Sequence, residues 1–296
     1  GGGANVNLLT QITATTFTSN TSGSDCGALR TANILRATAS AFYTNTTIFN
    51  GGAVCADSGA IAAGGVFQNN TGAKGGAMWT NGSTTLSNVA FLSNTATGAG
   101  GGGAFLESGA AALNGGVFLA NRATSPTIGN AGGLYAASLS MTGTLLISNT
   151  AANNGGGVYA AGPATINGAQ FTGNEAQDAA TGNGGGIYAN AALTATGAQF
   201  VSNLAGYGGG GAYGNGQTQI FGGAFRQNSA PGYGGGGLNA GNAASISGTQ
   251  FLTNSGYYGG AIYAGGAVWM TGGLLAGNSA VGSGGGADLE GGGAIT

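Results

Sequence analysis

Catalysis and ligation start from groups that titrate, coordinate or attack, and this chain has few of them. Its 296 residues include seven acidic ones (Asp25, Asp57, Glu107, Glu175, Asp178, Asp288 and Glu290), five basic ones and no histidine. Glycoside chemistry asks for paired carboxylates, or for a carboxylate cluster with Ca2+ or a basic residue. Here the carboxylates are scattered, and only Asp288 and Glu290 have the i, i+2 spacing that points two side chains the same way from one strand. Without histidine no Ser-His or Cys-His nucleophile system can be assembled. The tandem Gly-Gly-x-Gly-x-Asp array of a Ca2+-binding roll is absent. Two stretches, Gly206-Tyr207-Gly208-Gly209-Gly210-Gly211 and Gly232-Tyr233-Gly234-Gly235-Gly236-Gly237, have G-x-G-x-x-G spacing. That motif cradles phosphate only where a helix follows it, and no helical pattern follows either stretch, so both read as corner loops. These residues predict no enzyme and no catalytic, cofactor or metal site.

The polar residue with a fixed place is asparagine. It follows Phe by three positions at Asn20, Asn45, Asn70, Asn94, Asn121, Asn174, Asn203, Asn228 and Asn254, and follows Leu at Asn149 and Asn278. The eleven copies are separated by 25, 25, 24, 27, 28, 25, 29, 25, 26 and 24 residues. A period of this length is the signature of a solenoid. An invariant inward Asn at a turn is explained if its amide bonds to backbone in its own coil and to the equivalent Asn in the coils above and below.

The elements that position these residues follow from the pattern inside one repeat. Five and seven residues before the Phe stand small or apolar side chains, such as Leu139 and Met141 or Ala164 and Ile166, with polar residues such as Thr142 and Asn167 between and after them. Period-two alternation is a strand with one face inward. A Gly three residues before the Phe (Gly143, Gly168, Gly197, Gly222, Gly248) marks a corner. The Phe lies on a second short strand, and stacked copies make an internal ladder of rings. After the Asn a loop of variable length takes up the insertions, and a Gly run opens a third strand. That strand begins with an inward apolar residue (Val158, Ile187, Ile262) and continues with an outward, often aromatic one. Three short strands in a coil of about 25 residues describe an all-β parallel β-helix of about eleven coils, running as one domain over residues 1–296.

The pairing of Phe-x-x-Asn with Gly259-Gly260-Ala261-Ile262, and with the near variants Gly75-Gly76-Ala77-Met78, Gly51-Gly52-Ala53-Val54 and Gly184-Gly185-Gly186-Ile187, resembles the repeats of the chlamydial polymorphic outer-membrane proteins. The resemblance spans essentially the whole chain. It implies a right-handed β-helix outside a cell, as in autotransporter passengers and bacterial adhesin-like proteins, and it carries over no catalytic residue.

Surface features give the remaining leads. Phe105, Tyr135, Tyr159, Tyr188 and Tyr213 occupy the outward third-strand position in five successive coils, which predicts a stacked strip. Either neighbouring loops cover that strip, or it makes a lateral contact between rods or binds glycan. The outward Thr and Ser rows are interrupted by Asn114, Phe221 and Trp269, which argues against a flat ice-binding face. Asn20, Asn45, Asn69 and Asn81 head Asn-x-Ser/Thr triplets, and the first two are ladder positions expected to be buried, so no glycan is predicted there. Cys26 and Cys55 lie in successive repeats but four positions out of register, which fits a disulfide across an irregular corner or two small apolar residues. A net charge of −2 supplies no field for nucleic acid or anionic lipid, and no apolar run is long enough for a membrane helix.

Gly1-Gly2-Gly3-Ala4 matches the corner that opens the third strand, and Ala294-Ile295-Thr296 falls where Thr165-Ile166-Asn167 lie within a coil. Two functions follow as expectations. The first is a structural extracellular protein, the body of a cell-surface fibre or filament whose copies stack end to end. The second is an adhesin-like passenger segment that binds host or matrix glycans or proteins.

Overall fold

The structure, a computed structural model, describes residues 4–7 and 9–296. Gly1-Gly2-Gly3, most of the expected opening corner, lie outside the described residues. Among the described residues every regular element is a β-strand, and all strand pairings are parallel between one coil and the next. The chain is a parallel β-solenoid with a repeat of about 25 residues.

One coil shows how the sequence dictates this. Ile187–Ala189 is the strand opened by the Gly run, here called the aromatic strand. Leu193–Thr196 is the alternating strand and Gln199–Val201 the Phe strand. A fourth strand, Leu204–Ala205, follows Asn203 directly. The expectation of three strands per coil is therefore corrected to four. The variable loop starts only after this two-residue strand, whose second side chain points inward (Ala123, Ala151, Ala176, Ala205, Ala230, all buried). Two residues are too few for alternation to be read.

The Phe strands form one sheet of eleven and the short strands another of eleven. The aromatic and alternating strands of all coils share a single sheet, because Ala104–Asn114 and Leu134–Thr142 run through both positions without a break. In this sheet Ala4–Val6 pairs with Leu29–Thr31 at one end and Gly293–Ile295 with Val268–Thr271 at the other, so the stack amounts to about twelve turns. Not all length variation lies after the Asn: the register shifts between Leu106 and Ala110, inside the continuous strand.

The core is a set of columns. Phe17, Phe42, Phe67, Phe91 and Phe118 stack at centroid distances of 4.9, 4.6, 4.9 and 4.7 Å, and Phe171, Phe200, Phe225 and Phe251 at 4.7, 4.5 and 4.8 Å. Leu146 separates the two runs. Each buried ring contributes about 1.5–3 kcal/mol relative to exposure. Leu193, Ile187, Val158 and Ile166 fill the opposite wall and are fully buried.

The expected corner before the Phe is present, with φ of 60° at Gly143 and Gly168 and 62° at Gly197, and Ala14, Ala39 and Asn88 adopt the same left-handed conformation. At the glycine corner the cause is different. The second Gly of the run occurs in every coil, as at Gly76, Gly132, Gly185 and Gly236. A Cβ on Gly185 would stand 2.5 Å from the Gly210 oxygen in the next coil and 2.4 Å from the Leu204 oxygen. Main chains simply approach too closely there for any side chain.

These two glycine classes should separate in melting experiments. Gly197→Ala meets no atom within 4 Å and bears only the left-handed φ, a cost of about 1–2 kcal/mol. Gly185→Ala must push two coils apart and should cost more than about 3 kcal/mol. Equal melting temperatures for the two variants would contradict the close approach.

Candidate interaction surfaces

The asparagine ladder is internal. Asn45, Asn70, Asn94, Asn121, Asn149, Asn174, Asn203, Asn228 and Asn254 are buried, while Asn20 and Asn278 in the outermost coils are partly exposed. Asn174 shows the connection. Its backbone N–H and its Nδ2 both donate to Asn203 Oδ1, at 3.0 and 2.9 Å, and Nδ2 also donates to the Leu146 carbonyl at 2.9 Å. Its own Oδ1 accepts from the N–H and Nδ2 of Asn149. Each amide thus uses both donors and both acceptor sites, linking three coils. The residue before each Asn is left-handed, for example Thr44, Ser93, Gln227 and Thr253 at φ 54°, 53°, 55° and 53°. This ladder is structural, and it leaves nothing for a ligand.

The outward aromatic residues do form one column. Phe105 and Tyr135 are 4.1 Å apart, Tyr135 and Tyr159 5.3 Å, Tyr159 and Tyr188 4.9 Å, and Tyr188 and Tyr213 5.2 Å, with interplanar angles between 2° and 22°. The four tyrosines are half-buried, but Phe105 is only 5% exposed, so its proposed place in a lateral contact is corrected. Lys74 lies 5.3 Å above its ring and pairs with Glu107 at 2.8 Å, and Glu107 also accepts from Trp79 Nε1 at 2.7 Å. Stacking has a chemical consequence. Ring faces cover each other, so the strip shows ring edges and hydroxyls, whereas a sugar docks on an aromatic face.

A second aromatic group was not visible in the repeat pattern. Asn239 occupies the column slot between Tyr213 and Tyr263. There Tyr233, from the corner loop, packs edge-on to Tyr263, at 5.4 Å and 75°, and to Tyr258, at 5.2 Å and 79°. Tyr207 stacks on Tyr233 at 5.2 Å. The two G-x-G-x-x-G stretches are therefore corner loops that carry these rings, with no helix behind them.

The outer face of the Phe strands carries no fixed residue type, and so gives no signal in the repeat. Its flanking residues include Val66, Leu92, Leu119, Ile147, Val201 and Leu252, all partly or well exposed. On the alternating strand Ile61, Phe221 and Trp269 interrupt the outward polar rows.

Six of the seven carboxylates have local partners, Glu290 among them beside the Tyr263 hydroxyl. Asp57 pairs with Arg30 at 3.0 Å, Glu107 with Lys74 and Trp79, Asp25 accepts from Asn50 N–H, Asp288 accepts from Ser283, and Asp178 accepts from Ala180 and Thr181 N–H at 2.8 Å. Those two backbone bonds hold the Asp178 carboxyl below its usual pKa. Among the described residues no three His, Cys, Asp or Glu side chains gather to hold a metal, and no helix is long and apolar enough to cross a membrane. Asn69 and Asn81 are exposed; Asn45 is fully buried.

Cys26 and Cys55 form a disulfide. Cys26 takes the place of the first corner Gly, with φ 66°, and stacks on Gly51. A Cβ on Gly51 would lie 2.7 Å from Cys55 Sγ. The four-residue offset is thus the path of the corner itself.

With this geometry in hand, comparison with family models, characterised proteins and solved structures finds no match.

Burial, and then its neighbours Tyr159 and Tyr213, push the Tyr188 hydroxyl up to about 12. Below pH 10 both folded and unfolded chains keep this proton. Above pH 10 the unfolded chain releases it first, so the contribution to stability is lost between pH 10 and about 12. Alkaline unfolding followed by circular dichroism should show a smaller loss over that window for Tyr188→Phe than for the parent chain. An identical loss would mean that the ladder phenols are fully solvated.

Proposed function

We propose that the chain is the β-helical body of an extracellular structural protein, a fibre or filament whose copies continue one another end to end. The observation that carries this reading is repetition. The same four strands, Asn bonds and glycine corner recur coil after coil. A contact between copies would then reproduce the contact between coils, held by backbone hydrogen bonds and apolar columns. Ionic contacts would add little, since only two salt bridges occur among the described residues.

Three further features support the reading. The disulfide suits an oxidising compartment outside the cytosol. Most carboxylates are engaged in local contacts rather than converging on a site. The likeness to chlamydial surface-protein repeats also points outside the cell. Lateral contact between rods is assigned to the apolar outer face of the Phe strands, around Leu119 and Ile147, rather than to the tyrosine strip, whose ring faces cover each other. The adhesin-like reading keeps one observation in its favour: the half-exposed row Tyr135, Tyr159, Tyr188 and Tyr213 offers hydroxyls to a surface or glycan partner by hydrogen bonding.

Electron microscopy of the concentrated purified chain tests the choice. About twelve turns at about 4.8 Å each make a rod of roughly 55–60 Å. Rods that lengthen well beyond this with concentration, and that persist in high salt, are the expected outcome. Monodisperse single rods at every concentration would overturn the filament and favour the adhesin-like passenger.

A further inference from the structure

We propose that Tyr233 and Tyr263 are a site of oxidative modification, joined by one-electron chemistry into a dityrosine staple between neighbouring coils. Nine of the ten tyrosines lie in the aromatic column or the corner loops beside it, with Tyr43 alone on the Phe strands. Among these nine, Tyr233 and Tyr263 combine inclined rings with a hydroxyl–hydroxyl hydrogen bond between coils; the other edge-on pairs are Tyr233 with Tyr258 and the sequence neighbours Tyr257 and Tyr258. Tyr233 Oη and Tyr263 Oη are 3.2 Å apart, with rings inclined by 75°. Ring coupling joins the carbons ortho to the two phenol oxygens. Each of those carbons is bonded to the carbon that bears the oxygen, so an oxygen–oxygen contact brings the reacting positions together. Rotation about the ring axes completes the approach. The column tyrosines lie nearly parallel with their faces overlapping, and they would have to unstack before a biaryl bond could form.

The surroundings favour the same pair. Tyr263 is 7% exposed, so an oxidant cannot take its electron directly. Tyr233 is half-buried and touches Tyr207 and Tyr258, also half-buried, at 5.2 Å each. An electron vacancy formed on any of these rings can pass inward by short steps. The Glu290 carboxylate lies beside the Tyr263 hydroxyl.

The chemistry balances with a haem peroxidase and hydrogen peroxide as oxidant. Each phenol gives up one electron and its hydroxyl proton, and the two radicals form an ortho–ortho carbon–carbon bond. Each ring then moves its ortho hydrogen to oxygen and regains its hydroxyl. In sum two phenols lose two electrons and two protons, and one peroxide takes them up to become two waters. The staple spans 30 residues in sequence, as the disulfide spans 29 in another part of the rod. Its formation does not depend on end-to-end assembly.

The dilute full-length chain, treated with haem peroxidase and peroxide, provides the test. The expected result is dityrosine fluorescence in a product that still runs as a single chain, lighter by two hydrogens. Mass spectrometry of a thermolysin digest should then find Tyr233 linked to Tyr263. Tyr263→Phe and Tyr233→Phe should each reduce the intramolecular signal to that of untreated chain, whereas Tyr188→Phe should leave it unchanged. Circular dichroism reports whether each variant folds, and the parent digest decides the linkage whether or not they do. Absence of dityrosine, linkage through the column tyrosines, or linkage only between molecules would overturn the proposal.

Discussion

A side-chain amide that bonds to its own copy in the next coil sets the terms for the rest of this structure. A solenoid coil must turn a corner beside its core, where an unpaired backbone or side-chain group would cost about 1–3 kcal/mol. The left-handed residue before each Asn makes the turn, and the Asn amide then satisfies what the turn leaves open. Asn121, for instance, donates to Asn149 Oδ1 and to the Phe91 carbonyl, and accepts from Asn94. Because each amide spans three coils, the vertical spacing and register are fixed at this edge. Coils can therefore differ in loop length elsewhere without losing alignment.

The other features follow from that fixed spacing. Main chains at the glycine corner come so close that a Cβ on the second Gly would meet the backbone of the next coil, while the first, which is left-handed and would meet its own coil's backbone (at Gly184, the Ile187 oxygen at 2.3 Å), is Cys26 in one coil and Ala131 in another. Aromatic side chains inherit the same interval, which is why the inner Phe rings and the outer Tyr rings both stack at about 5 Å. Inside, stacking fills the core. Outside, it hides ring faces, and so shapes what the surface can offer a partner.

Legibility in the sequence tracks how much a position tolerates. Phe, Asn and the second Gly hold their identities at fixed spacing, and the inward alternation of Ala164 and Ile166 is plain, so the parallel β-helix and its inward columns could be read directly. The short strand escaped because in most coils it has two residues, and its outward one varies from Thr46 to Arg122 to Leu204. The left-handed position before Asn escaped because it is mostly Ser, Thr or Gln rather than Gly, the Asn bonds offsetting a strain of about 1–2 kcal/mol. Surface contacts were hardest. Whether Phe105 is covered depends on Lys74 from another coil, and the meeting of Tyr233 with Tyr263 depends on Asn239 standing in the aromatic column. Neither is a property of the repeat.

Residue-resolved hydrogen exchange bears most directly on the claim that the Asn corner holds the coils in register. The backbone amides of Asn94, Asn121, Asn149 and Asn174 donate to side chains rather than to a sheet, so they report on this interaction alone. They should exchange only when several coils open together, with a denaturant dependence matching that of the Phe-strand amides beside them. Rapid, denaturant-independent exchange at these amides while the Phe strands stay protected would contradict the account, because the corner would then be opening without disturbing the stack.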